Sequence, residues 1–189
     1  LQHNNICNIH DIEVTEDGQT FIVMDCYEGE TLKKKIERGP LKIDETIDIA
    51  IQVAQGLSGA HEHDIIHRDI KPANIMITSA GVMKLVDFGI AKLSSVTMLT
   101  RTGGTFGTGA YMSPEQVRGE SADRRTDIWA LGVLMYEMLT GKRPFTAEYE
   151  HALLYCILNS EPEPITGLHT RIGEELERIV RKCLAKIPE

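Results

Sequence analysis

Residues 127–140 constrain the fold more than any other stretch. Ile128, Trp129, Leu131, Val133, Leu134, Met135, Met138 and Leu139 fall on every side of a helix of that length. A helix with no polar face belongs in the centre of a core. Thr126 stands where it can cap the start, Gly141 caps the end, and Pro144 follows. The uncharged run from Ile128 to Tyr136 is far short of the roughly 20 residues that cross a bilayer, so its surroundings must be protein. A chain of 189 residues, 42% hydrophobic and 25% charged, has enough apolar mass for one substantial core around it.

Around this helix the pattern predicts mixed structure. Strands are expected at Ile9 to Val14 and Thr20 to Cys26, with Asp17-Gly18 as a tight hairpin turn. Glu28-Gly29-Glu30 reads as a turn before a short helix, Leu32 to Arg38, that Gly39-Pro40 stops. Asp44 to His61 reads as an amphipathic helix with Ile47, Ala50, Ile51, Ala54, Leu57 and Ala60 on its buried face. Ile75 to Thr78 and Val82 to Val86 form a second hairpin about Ser79-Ala80-Gly81. Ala91 to Arg125 has no hydrophobic period and reads as a long functional loop. Two further helices are expected, at Glu148 to Leu158 and Ile172 to Leu184, the second with Leu176, Ile179, Val180, Cys183 and Leu184 as its apolar stripe.

Other features exclude function classes. The formal net charge of −8 argues against a broad nucleic-acid face. Four scattered cysteines without a C-x-x-C pair suggest reduced thiols in a cytosol-like compartment, with neither zinc site nor disulfide framework. His61 and His63 read as surface groups, and Lys33-Lys34-Lys35 as a solvated helix face. Gly103 to Gly109 lacks the G-x-G-x-x-G spacing of a phosphate-binding loop.

The chemistry concentrates between the first long helix and the second hairpin, in His67-Arg68-Asp69-Ile70-Lys71-Pro72-Ala73-Asn74, and just beyond the hairpin in Asp87-Phe88-Gly89. Asn74 and Asp87 flank the base of a β-hairpin and offer hard oxygen ligands suited to Mg²⁺ with bound phosphate. A nearby Asp can accept a proton from a hydroxyl, and a Lys can neutralise charge on a phosphoryl group.

These motifs resemble the protein kinases. Gly107-Thr108-Gly109-Ala110-Tyr111-Met112-Ser113-Pro114-Glu115 is similar to that family's segment ending in A-P-E, with Ser113 for Ala, and Asp127-Ile128-Trp129-Ala130-Leu131-Gly132 to its buried central helix. The resemblance is to eukaryotic-like serine/threonine kinases of the bacterial type. It implies an α+β kinase-like fold, mainly the helical C-lobe with the last strands and hinge of the N-lobe. Residues 1–27 would be the end of the N-lobe and the hinge, residues 28–189 the C-lobe, and about 87–115 the activation segment.

By matching position, Asp69 would be the catalytic base, Lys71 would sit by the γ-phosphate, and Asn74 and Asp87 would hold Mg²⁺, or Mn²⁺ in its place, with ATP. Met24 matches the gatekeeper, the backbone of Asp25 and Tyr27 would face the adenine, Glu30 the ribose, and Met76 would pack beneath the purine. The Lys-Pro-Ala-Asn form is similar to serine/threonine kinases and unlike the Ala-Ala-Arg-Asn of tyrosine kinases, which implies protein substrates with Ser or Thr. Arg68 implies a basic pocket for a phosphate on the activation loop, with Thr100, Thr102 and Thr105 as acceptors through autophosphorylation in a dimer. Thr108 matches the family's conformational threonine. Glu115 and Asp127 would be structural, Asp127 bracing the catalytic-loop backbone, and His67 a packing residue.

The sequence starts at Leu1 in a strand-like stretch and stops at Glu189 after a helical pattern, so a fragment truncated at both ends is expected. The resemblance implies that the family's Gly-rich loop, strand lysine and helix glutamate would fall before Leu1, and the arginine that would pair with Glu115 beyond Glu189. On that reading the isolated chain would bind ATP weakly and transfer phosphate negligibly. A cytoplasmic catalytic part is expected, with any membrane anchor outside this window. The alternative is a catalytically inactive kinase-like scaffold. Intact Asp69, Lys71, Asn74 and Asp87 favour the enzyme, because a scaffold has no chemical need to keep all four together.

Overall fold

A computed structural model describes residues 2–88, 108–168 and 172–187. The first hairpin forms as the Asp17-Gly18 signal requires. Strand β1 (Ile9–Val14) pairs antiparallel with β2 (Thr20–Met24), from Ile9 opposite Met24 to Val14 opposite Thr20. Gly18 turns at φ 84°, and the Thr15 amide donates to the Gln19 carbonyl at 2.8 Å to close the loop. Both faces of this ribbon are open among the described residues, with Ile12, Val14 and Phe21 exposed. The preceding segment ties it to the rest: Leu85 N donates to Asn5 O and Cys7 N to Leu85 O, each at 2.8 Å.

Strand β3 (Gly29–Thr31) occupies what the sequence predicts as a turn, and this is a correction. It pairs antiparallel with β4 (Ile75–Thr78), which pairs with β5 (Met83–Leu85), so the second hairpin becomes a three-stranded sheet in the order β3-β4-β5. Gly29 makes the pairing sterically feasible, since a Cβ there would lie 2.0 Å from the Ile77 carbonyl oxygen.

Helix α1 (Leu32–Ile36) follows directly, capped by the Thr31 hydroxyl, and α2 (Ile43–His61) is the long amphipathic helix. Its buried face is rotated from the expected one. Thr46, Ile49, Ala50, Val53, Gly56, Leu57 and Ala60 face inward, while Ile51 and Ala54 are exposed and Ile47 is half-buried. The sequence pattern misleads because Thr46 and Gly56 are not apolar, yet Gly56 meets the Leu85 side chain so closely that a Cβ would stand 2.9 Å from it.

Helix α3 (Pro114–Arg118) begins at a capping box in which Ser113 and Gln116 satisfy each other's backbone amides. Helix α4 (Arg124–Thr140) is the predicted central helix, with Trp129, Val133, Leu134 and Met138 buried. Its cap is Asp123, not Thr126: the Asp123 carboxylate accepts from Arg125 N at 2.8 Å, one helical turn earlier than expected. Gly141 ends it at φ 70°. Helices α5 (Glu150–Asn159), α6 (Ile165–Leu168) and α7 (Glu174–Cys183) complete the described elements; the short α6 is not among those expected. Val180 and Leu184 are buried as the stripe requires, but Ile179 is exposed. No helix of the described residues is long and apolar enough to cross a membrane.

Candidate active site

The site is assembled on the first turn of α4. Asp127 is fully buried, and its carboxylate accepts the backbone amides of two successive loop residues, His67 N on Oδ2 at 2.9 Å and Arg68 N on Oδ1 at 2.8 Å. His61 Nε2 lies 2.8 Å from the same Oδ2. The expectation that His61 is a surface group is therefore overturned: the last residue of α2 points inward, because its partner lies on a helix 66 positions away.

Arg68 holds φ 64°, a left-handed conformation that costs a non-glycine residue roughly 1–2 kcal/mol. The hydrogen bond from its backbone N–H to Asp127 Oδ1 and one from Gln116 Nε2 to Arg68 O at 3.0 Å hold it there. Its Nε is buried with no hydrogen-bond partner among the described residues. His67 is fully buried, packs tilted at 38° against the Phe88 ring with centroids 4.5 Å apart, and lies with Nε2 3.1 Å from Val86 O. Burial drives its pKa below the ordinary imidazole value, so it is a neutral packing group.

Beyond Arg68 the loop turns Asp69, Lys71 and Asn74 toward one another. Lys71 Nζ donates to Asp69 Oδ2 at 2.8 Å; Asn74 Nδ2 donates to Asp69 O at 2.9 Å and to Oδ2 at 3.1 Å. A one-turn 3₁₀ helix, Pro72–Asn74, makes this return, with Pro72 pre-set for its first position. Val86 N donates to Asn74 O at 3.0 Å, which brings Asp87 to the same end of the β4–β5 hairpin as Asn74. Asp87 also holds a positive φ, 57°. Arg68, Asp69, Tyr111, Met112 and Gln116 line one small cavity, so the loop opens toward the segment that leads into α3.

The expected nucleotide residues lie at the junction of ribbon and body. Met24 ends β2 and is partly exposed. Asp25 is tied on three sides, by His10 Nε2 at 2.6 Å, Asn8 Nδ2 at 2.9 Å and Tyr27 OH at 2.9 Å. These bonds, that of His10 foremost, hold its carboxyl below the usual carboxylate range. Burial and then the bond to Asp25 leave the Tyr27 phenol pushed up to about 12. Glu30 on β3 is ion-paired with Arg38, and Met76 on β4 is half-buried opposite Thr31.

Glu115, expected to be structural, gains a partner, and a second, part-buried pair lies nearby. Glu115 Oε1 accepts from Thr126 Oγ1 at 2.6 Å, which ties α3 to α4. Tyr111 OH donates to Glu137 Oε2 at 2.5 Å, and burial pushes both pKa values up. Thr108 begins a 3₁₀ turn, Thr108–Tyr111, whereas Thr100, Thr102, Thr105 and Gly89 lie outside the described residues. His61 and Gln116 are the site residues that sequence reasoning missed. The signal for His61 is its place at the helix end six residues before His67.

The family described as protein kinase domain matches residues 1–189. The chain is 41% identical over 187 residues to the probable serine/threonine-protein kinase PknB of Lactococcus lactis, covering 98% of this chain and 30% of the relative. It is 38% identical over 194 residues to the serine/threonine-protein kinase PknB of Mycobacterium leprae, covering 100% and 31%. A probable serine/threonine-protein kinase of Clostridium acetobutylicum is 41% identical over 191 residues, covering 100% and 29%. The loop that carries Asp69, Lys71 and Asn74, clamped to the first turn of a buried helix, thus belongs to a chain of the protein kinase family. It spans about three tenths of the length of these curated relatives.

Proposed function

We propose that the polypeptide carrying this chain is a serine/threonine protein kinase that transfers the γ-phosphoryl group of ATP to Ser or Thr hydroxyls of proteins. On this reading residues 1–27 are the end of the small lobe and the hinge, and residues 28–189 the large lobe. The observation that carries it is the Asp69 carboxylate held between Lys71 Nζ and Asn74 Nδ2 on a loop braced by Asp127. Asp69 orients the substrate hydroxyl and accepts its proton, and Lys71 neutralises charge on the transferred group.

The donor set fits a hard cation. Asn74 commits its amide nitrogen to Asp69, which turns its carbonyl oxygen to other use, and Asp87 stands beside it through the Val86–Asn74 backbone bond. Mg²⁺, or Mn²⁺ in its place, supplies charge neutralisation at the phosphate oxygens when bound. Met24, the backbone of Asp25 and Tyr27, Glu30 and Met76 form the nucleotide side of the cleft. The buried Arg68 Nε supports a pocket awaiting a phosphate on Thr100, Thr102 or Thr105, formed by autophosphorylation between two copies in the cytoplasm.

The test is label transfer from ATP to a protein substrate by the full-length polypeptide, followed by phospho-amino-acid analysis. Phosphoserine or phosphothreonine is expected; absence of transfer favours the scaffold, and phosphotyrosine overturns the specificity. In the same preparation Asp87→Asn weakens Mg²⁺-dependent ATP binding about 10–100-fold with an unchanged melting temperature.

A further inference from the structure

Asp127 does not brace the catalytic loop alone. Its fully buried carboxylate receives three polar neighbours from two different elements: the His67 and Arg68 amides from the loop, and His61 Nε2 from the end of α2. The His61 side chain is only 14% exposed. A buried carboxylate is costly unless its oxygens are hydrogen-bonded, so each donor also fixes how the group is turned. The orientation matters because Oδ1 must face Arg68 N, in the strained residue that immediately precedes Asp69.

Resting on the kinase reading, we propose that His61 is a positioning residue for phosphoryl transfer: Nε2–H donates to Asp127 Oδ2, fixes the rotation of that carboxylate, and so holds the Arg68–Asp69 backbone in its reactive conformation. Its action runs through Asp127 and the loop amides. It therefore affects the rate of the chemical step more than nucleotide affinity.

The test compares His61→Gln with His61→Met in the full-length polypeptide. The two side chains are nearly isosteric, but only Gln carries an amide donor near the place of Nε2. His61→Met is expected to lower kcat about 10-fold, the effect of losing one hydrogen bond worth about 1.4 kcal/mol to a charged group. The KM for ATP stays within about twofold, and amide hydrogen exchange at His67 and Arg68 accelerates. His61→Gln recovers most of the rate and of the protection. Equal behaviour of the two variants in rate and exchange overturns the inference.

If the polypeptide transfers no phosphate, the kinase reading fails, while the exchange comparison still decides the role of His61: loss of protection specific to Met supports it, and equal protection overturns it. Should the Met variant not fold, nitrogen NMR of histidine-labelled wild type replaces it. A slowly exchanging Nε2–H on His61 supports the bond to Asp127, and a rapidly exchanging one overturns it.

Discussion

Replacing Asp127 by Asn keeps the shape of the side chain and exchanges one acceptor oxygen for a donor. In the orientation that leaves oxygen toward His67 N, the new amide group faces Arg68 N–H, and donor meets donor; the reverse orientation opposes His67 N and His61 instead. At least one buried backbone amide is left without an acceptor, at about 1–3 kcal/mol. The surviving bonds lose their charge assistance, which is roughly half their strength. Relief from burying a charge offsets part of this, so the net destabilisation is about 2–4 kcal/mol. That is a large fraction of the roughly 5–15 kcal/mol a domain possesses.

Urea unfolding followed by circular dichroism reads this loss as a midpoint lowered by about 1 M or more at constant slope. The transfer rate of the remaining folded protein should fall with it, because the backbone of Arg68 is what the carboxylate holds. An Asp127→Asn variant within about 0.5 kcal/mol of the parent, the range of an ordinary surface substitution, refutes the bracing argument.

Two further outcomes follow from the packing. Burial raises the folded pKa of Glu137 above its ordinary 4.5, so the folded state holds its proton to higher pH than the unfolded chain does. Its stabilising contribution is complete below that ordinary value and is lost as pH rises through the folded pKa, and Glu137→Gln should flatten this part of a stability–pH curve measured by thermal melting. Gly29→Ala should cost about 1–3 kcal/mol or more in chemical unfolding, because its Cβ collides with the Ile77 carbonyl and separates β3 from β4.

Local chemistry made part of the fold legible. Asp17-Gly18 set the first hairpin, and the apolar run at 128–136 placed α4 in the core. Features decided by distant partners were not. Strand β3 is three residues long, begins with glycine, and exists because β4 lies beside it. The face of α2 is chosen by the close approach of Gly56 to Leu85, which no apolar count records.

The site follows the same division. Asp69, Asn74 and Asp87 stand in short contiguous motifs and could be named at once, along with Asp127 as their brace. His61 was misjudged because its sequence neighbours, Glu62 and Asp64 among them, are not its partners; that partner, Asp127, is on α4, 66 positions away. The same holds for Glu115, whose bond to Thr126 depends on how α3 meets α4.

The central claim is that Asp69, held by Lys71 and Asn74, carries phosphoryl transfer. Single-turnover transfer by the full-length polypeptide and its Asp69→Asn variant, at saturating Mg²⁺ and ATP, measures this most directly. The account predicts a rate lower by about 10²–10⁴-fold, with ATP affinity and melting temperature little changed. Equal rates in the two proteins would contradict it.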